Sequence, residues 1–360
     1  MKHLFRILSV ALMASAMVAC TEETEPEQQS PVTPDPSGEA MGRAIVLNEG
    51  TWGGNNASLS LVDLDNGTAT NDWFATVNGR GLGDVAQDIL LYGSKVYVSV
   101  WASNSIEVID TASGTSTRID MGSRGPRYIA ADGGKLYVSC YSPHSVVRID
   151  TATREIEATC VLGEFNPEGV AIEGGKLFVA SSNVSDEQMN YSYDNKLYVV
   201  DLSSFANPTA IEVGSNPQKV MPLGNGKVLV NYWGDYAANP SGSAVVDAAS
   251  LSVVQTNQPM NNMTVAGGKV YGYSNDYDEN WNAVTNFFVM DANTLTVVPM
   301  QFAGVSGPYA IAVHPATGNI FIATDGNYSS NGTLYCFRTD GAGRLWSREM
   351  GMLPSKVVFL

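Results

Sequence analysis

The chain has 360 residues, 44% of them hydrophobic and 16% charged, with a formal net charge of −16. That length suits two ordinary domains or one large all-β domain, and the apolar fraction is enough to bury a core. The acidic balance argues against nucleic acid and anionic membrane surfaces as partners, because both repel a surface of the same sign.

The first forty residues read as targeting and linker. Lys2 and Arg6 form a positive start, and Ile7 to Ala19 is an apolar run too short for a comfortable transmembrane helix. It ends Met17-Val18-Ala19-Cys20, which resembles the bacterial lipobox, where cleavage precedes the cysteine and the cysteine is lipidated. Residues 1–19 are therefore expected to be a lipoprotein signal peptide, with Cys20 as the lipidation site. Residues 20–41 are acidic, proline-rich and free of aromatics, so they are expected to be a disordered tether. Acidic residues directly after the cysteine also resemble the surface-export signal of lipoproteins in gut anaerobes. That resemblance implies an outer-membrane protein, lipid-anchored and exposed at the cell surface.

From residue 42 to 360 the sequence repeats. A glycine turn followed by an alternating apolar strand recurs with its opening residue at Ala44, Lys95, Lys135, Lys176, Lys227, Lys269 and Asn319. A second series, the end of a strand of the type Val-x-Val-Ile-Asp, gives Asp63, Asp110, Asp150, Asp201, Asp247, Asp291 and Arg338. Turn formers such as Thr-Ala-Ser-Gly (111–114) follow, and a once-per-repeat aspartate there is expected to cap a turn. A third element, of the type Gly125-Pro126-Arg127-Tyr128-Ile129-Ala130, precedes most copies, with proline at the strand start where no ladder N–H is lost. Each repeat thus predicts four strands, A to D, and no stretch carries a sustained helical period. Four strands in about 40–50 residues are the mark of a propeller blade.

Seven copies predict an all-β, seven-bladed β-propeller. Ala44 has no A strand before it, while Leu353 to Leu360 is an A-type sequence with nothing after it. Pairing the two closes the ring and removes an open inner edge. Cys140, Cys160 and Cys336 show neither CxxC nor metal-like clustering, so buried free thiols are expected rather than a Cys140–Cys160 disulfide.

In such a blade the A–B and C–D turns share one face, and the B–C loops and D–A crossovers share the other. The turns here are short, whereas the B–C loops are long and aromatic. Four of the six tryptophans, Trp52, Trp101, Trp233 and Trp281, fall in them. Loops on a rigid scaffold carry function, and flat aromatic surfaces interleaved with Asn, Ser and Asp suit a ligand site. The candidate ligand-binding residues from the loops are Asn48, Glu49, Trp52, Trp101, Tyr141, Tyr232, Trp233, Tyr277, Trp281 and Tyr328. Arg127, Tyr128, Glu168, Gln218 and Tyr309 join them from the A-strand starts at the channel mouth. No catalytic residue, metal site or cofactor is expected, since nucleophile elbow, Walker A, dinucleotide motif and His/Cys cluster are all missing from the sequence.

The Pro-x-x-Ile-Ala, Gly-Lys-Leu-Tyr-Val and Val-Ile-Asp-Thr units resemble those of YVTN-type seven-bladed propellers across nearly all of residues 43–360. The opening Val46-Leu47-Asn48-Glu49-Gly50-Thr51-Trp52 with Asn56-Ala57-Ser58-Leu59-Ser60 is similar to the start of certain surface lipoprotein propellers of gut bacteria. Those include the cobalamin-binding partner of an outer-membrane vitamin B12 transporter. The resemblance implies a non-enzymatic lipoprotein that captures a corrinoid on its loop face and passes it to a TonB-dependent transporter. Two other readings stand beside it. One is a protein- or glycan-binding surface scaffold. The other is a lactonase-like hydrolase with calcium near Asn48, Glu49 and Asp325, which the blade count and the scarcity of carboxylates at the mouth disfavour.

Overall fold

A computed structural model describes residues 32–33, 35, 38–277, 279 and 283–360; Cys20, Trp281 and the signal segment lie outside these. Seven four-stranded sheets form a closed ring of blades. Blade 3 shows the unit: strand A is Pro126–Asp132, B Lys135–Cys140, C Ser145–Asp150 and D Ile156–Val161. Blade 1 takes its B, C and D strands from Arg43–Asn48, Ser58–Asp63 and Thr68–Thr70, and its A strand from Pro354–Phe359 at the C-terminus. The closing register pairs Ala44 with Phe359, Ile45 with Val358 and Val46 with Val357.

Burial explains why the B strands were the most legible part of the sequence. Each is sandwiched between blades, so apolar residues face both neighbours and the run is nearly continuous, whereas the outer D strands are half exposed. Leu136, Val138 and Val146 are fully buried, and one core cluster joins Tyr137 and Val146 of blade 3 to Leu177 and Val179 of blade 4. At the ring closure Trp346 of blade 7 is buried, and its indole N–H donates to the Leu64 carbonyl of blade 1 at 3.1 Å. Cys140, Cys160 and Cys336 are buried free thiols.

The repeated aspartates do cap turns. In blade 2 Asp110 Oδ1 accepts from the amides of Ala112 and Ser113 at 3.1 and 2.9 Å, and Lys95 Nζ bonds its Oδ2 at 2.7 Å. Blade 3 repeats this with Asp150, the amides of Ala152 and Thr153, and Lys135. The lysine first, then the amides, hold both carboxyls below the usual Asp range. Protons therefore bind the unfolded chain first as pH falls, so stability is present above about pH 4 and is lost below it. Denaturant midpoints measured from pH 6 to pH 3 are expected to fall below pH 4. They should fall less steeply in an Asp110→Asn/Asp150→Asn variant.

Three local features depart from the simple repeat. A six-residue helix, Trp73–Asn78, sits in the first crossover, and Asn78 pins it to blade 2 through the carbonyl of Gly114 and the amide of Ser116. The long loop of blade 4 folds into a two-stranded hairpin, Asn183–Ser185 with Tyr191–Tyr193. In blade 6 the loop expected from Ser274 onward is instead a ladder, pairing Ser274 with Asn286 and continuing to Tyr277 with Ala283.

The described N-terminal residues approach on the turn face. The amide of Thr33 donates to Leu345 O at 2.8 Å, Asn319 Nδ2 donates to Asp35 at 2.5 Å, and the amide of Met41 donates to Asp65 at 2.6 Å. Leu345, Asn319 and Asp65 all stand at A–B or C–D turns, opposite the aromatic loops.

Candidate functional site

The channel mouth is built by one device repeated around the ring. In six of the seven blades the ladder between A and B strands slips at the start of strand A, between Ala86 and Asp88, Pro126 and Ile129, Pro167 and Val170, Pro217 and Val220, Pro308 and Ala310, and where Asn48 meets Pro354. A bulge of this kind re-aims side chains and leaves backbone groups without ladder partners. Polar residues at the ends of the B strands take those groups up. Tyr128 N donates to Ser139 Oγ at 3.0 Å, Lys219 N to Asn231 Oδ1 at 2.7 Å, and Ser99 Oγ bonds the Arg127 carbonyl.

The bulges bring a polar network together across the mouth. Arg127 lies against Glu168 at 3.0 Å and donates to Gln87 Oε1, while Gln87 Nε2 bonds the Tyr128 hydroxyl at 3.2 Å. The Tyr141 hydroxyl donates to Glu168 Oε1. Below them Lys356 pairs with Asp88 at 2.6 Å, and Asp88 accepts the Ile129 amide at 2.9 Å. Lys219 reaches Asn262 Oδ1 at 2.8 Å, and Asn262 Nδ2 donates to the Tyr309 carbonyl at 2.7 Å. Tyr309 donates its hydroxyl to Glu49 at 2.6 Å. Burial raises the Glu49 pKa, and burial followed by the Glu49 charge raises that of Tyr309.

Aromatic rings rise from this floor. The Arg127 guanidinium sits 4.7 Å from the Tyr141 ring centre and 5.1 Å from that of Trp101. Trp101 packs at 4.6 Å on Trp52, which is 70% exposed. Trp101 also passes so close to Gly125, a residue at φ 58°, that a Cβ there would lie 3.1 Å from the indole nitrogen. Across the mouth Tyr328, 61% exposed, stands edge-on to Tyr309 with ring centres 5.9 Å apart. Outward-facing rings on a fixed, charged base make a surface of the kind on which flat groups can stack.

Not every candidate reaches the loop face. Asn48 is fully buried, and its amide joins Ser58 and Ser60 and accepts the Gly351 amide. Tyr232 is buried inside blade 5, its ring flanked by Gly214 and Gly242 and its hydroxyl on Gln255 at 2.9 Å. Gln218 is buried and bonds Asn216 at 2.6 Å. Trp233 is half-buried, and its indole N–H has no partner among the described residues. Tyr277 ends the B strand of blade 6, and Trp281 lies outside the described residues.

Four residues of consequence escaped the sequence reading. Gln87, Asp88 and Asn262 start A strands that lack the proline marker. Spacing offered a signal, because Gln87, Arg127 and Glu168 each stand eight residues before an anchor lysine, at 95, 135 and 176. Tyr236, 53% exposed, meets the ring of Tyr193 at 6.2 Å and forms a second aromatic group over blades 4 and 5.

No protein-family model and no curated protein matches the sequence. Solved structures do match in fold. A quinonprotein alcohol dehydrogenase-like protein from Bacteroides thetaiotaomicron aligns with TM-score 0.64 and 17% identity, over 89% of this chain and 78% of that one. Hydrazine synthase of Kuenenia stuttgartiensis gives TM-score 0.55 and 17% identity over 68% and 74%, and the Pan2 WD40 domain of Neurospora crassa gives 0.53 and 12% over 76% and 81%. At these identities the likeness is one of fold: the chain is a seven-bladed propeller.

Proposed function

We propose that this protein is a ligand-capture propeller of the cell surface, a lipoprotein that binds a corrinoid across its aromatic loop face and passes it to a TonB-dependent transporter. The observation that carries the reading is Trp52, exposed yet held on Trp101, which in turn covers the half-buried Arg127. An exposed indole fixed in advance binds with little loss of side-chain freedom. The mouth beneath is occupied by the Gln87–Arg127–Glu168 network, so a ligand as large as a corrinoid rests on the platform and does not enter the channel. The contacts of Thr33, Asp35 and Met41 on the turn face support the same arrangement, since an anchor at Cys20 then leaves the platform facing away from the membrane.

Calorimetric titration of the protein with cyanocobalamin tests the reading. Saturable binding is expected, weakened about 30-fold or more by Trp101→Ala, as for a central aromatic anchor. No heat at micromolar protein would sink it. A second reading, a protein- or glycan-binding scaffold, draws on the exposed Met189, Tyr191 and Tyr236, which extend the aromatic surface beyond the mouth. Glycan binding lost in Tyr236→Ala, with cyanocobalamin silent, would favour it.

A further inference from the structure

Below the mouth the channel holds a cavity of about 330 Å³, walled by the inner strands of all seven blades. Its wall is largely aliphatic, including Ile129, Val170, Val220 and Ile311. Polar residues interrupt that wall, among them Lys219, Asn262, Tyr128 and the paired Asp88 and Lys356.

Their partners are unequal. Lys356 is neutralised by Asp88 at 2.6 Å. Lys219 has only a neutral partner, the Asn262 amide oxygen, and no carboxylate of the described residues lies within ion-pair distance of it. Glu49 is held by Tyr309 and does not line the cavity. An ammonium against an aliphatic wall, bonded only to a neutral group, is costly unless a ligand completes it.

We propose that the channel is a second binding site, separate from the aromatic platform, for a small monocarboxylate with a short aliphatic chain. The carboxylate accepts from Lys219 Nζ, with Lys356 adding positive potential, and the chain lies along the aliphatic wall. The Gln87–Arg127–Glu168 network covers the loop-side end, so entry is from the turn face. Lys219 also carries an electrostatic mark of such a site: burial, and then Lys356, lower its pKa to about 8 against the favourable pull of Asp88 and Glu49. A bound carboxylate draws it back up.

The test is titration of the protein with butyrate at pH 6.5 and at pH 9.5, followed by calorimetry and by the carboxyl resonance of ¹³C-labelled butyrate. Saturable binding is expected at pH 6.5 and weaker binding at pH 9.5, because the ammonium loses its proton in between. Lys219→Met should weaken binding about 30-fold, the loss expected for a charge-assisted hydrogen bond in an apolar setting. Should that variant misfold, Lys219→Gln serves instead and should weaken binding at pH 6.5 and remove the difference between the two pH values. Trp52→Ala should leave butyrate binding unchanged, which separates this site from the platform. No saturable binding to the unmodified protein, or affinity equal at the two pH values, would overturn the proposal.

Discussion

Glu168→Ala is expected to destabilise the propeller by about 3–5 kcal/mol, the usual result of removing one partner from a buried ion pair. The side chains of Arg127 and Glu168 are only 13% and 5% exposed, so the guanidinium left behind is poorly solvated. The same change removes the acceptor of the Tyr141 hydroxyl and so leaves a second buried group unmatched. Replacing both partners, as Arg127→Met/Glu168→Leu, should recover much of the loss, because no charge then remains buried. Guanidinium unfolding of the three proteins measures this. A loss below about 1 kcal/mol for Glu168→Ala would mean that the mouth admits water and that its network is not a closed floor.

Removing residues 354–360 is expected to have a still larger effect, the loss of a soluble, folded monomer. That segment is the whole A strand of blade 1, and without it the Ala44–Asn48 edge, fully buried in the native ring, becomes an open strand. Exposed apolar edges of this kind template pairing between chains. The truncated chain should therefore elute as oligomers or aggregate, and thermal scanning should show no cooperative transition. Circular permutation with new ends between Gly133 and Gly134 should be tolerated by contrast. That turn is short and at the surface, and Leu360 lies beside Arg43, its amide bonding the Arg43 carbonyl, so the propeller can be joined there.

The contrast between those two variants reflects what was readable in the sequence. The blade count and the closing strand could be read because the B strands are buried on both sides and repeat as unbroken apolar runs. The capping aspartates could be read because their role is local, within three residues of chain. The mouth could not be read in the same way. At the bulges two consecutive residues, such as Arg127 and Tyr128, both join the mouth, which breaks the two-residue alternation on which strand reading rests. Asn48 and Tyr232 show the opposite error. Both close a B strand, where a shift of one residue decides between loop face and blade interior, and both turn inward. Tyr232 can do so only because Gly214 and Gly242 leave room for its ring, a long-range fit that no local pattern announces.

Function rests on the claim that the loop face, and not the turn face or a blade edge, receives the large ligand. Fluorine NMR of the protein labelled with 5-fluorotryptophan tests this most directly, with each resonance assigned by single Trp→Phe replacement during a titration with cyanocobalamin. Trp52 and Trp101 at the mouth should shift and saturate together, while Trp346, buried between blades 7 and 1, should stay in place. Saturation that moves Trp346 and leaves Trp52 and Trp101 unchanged would contradict the account.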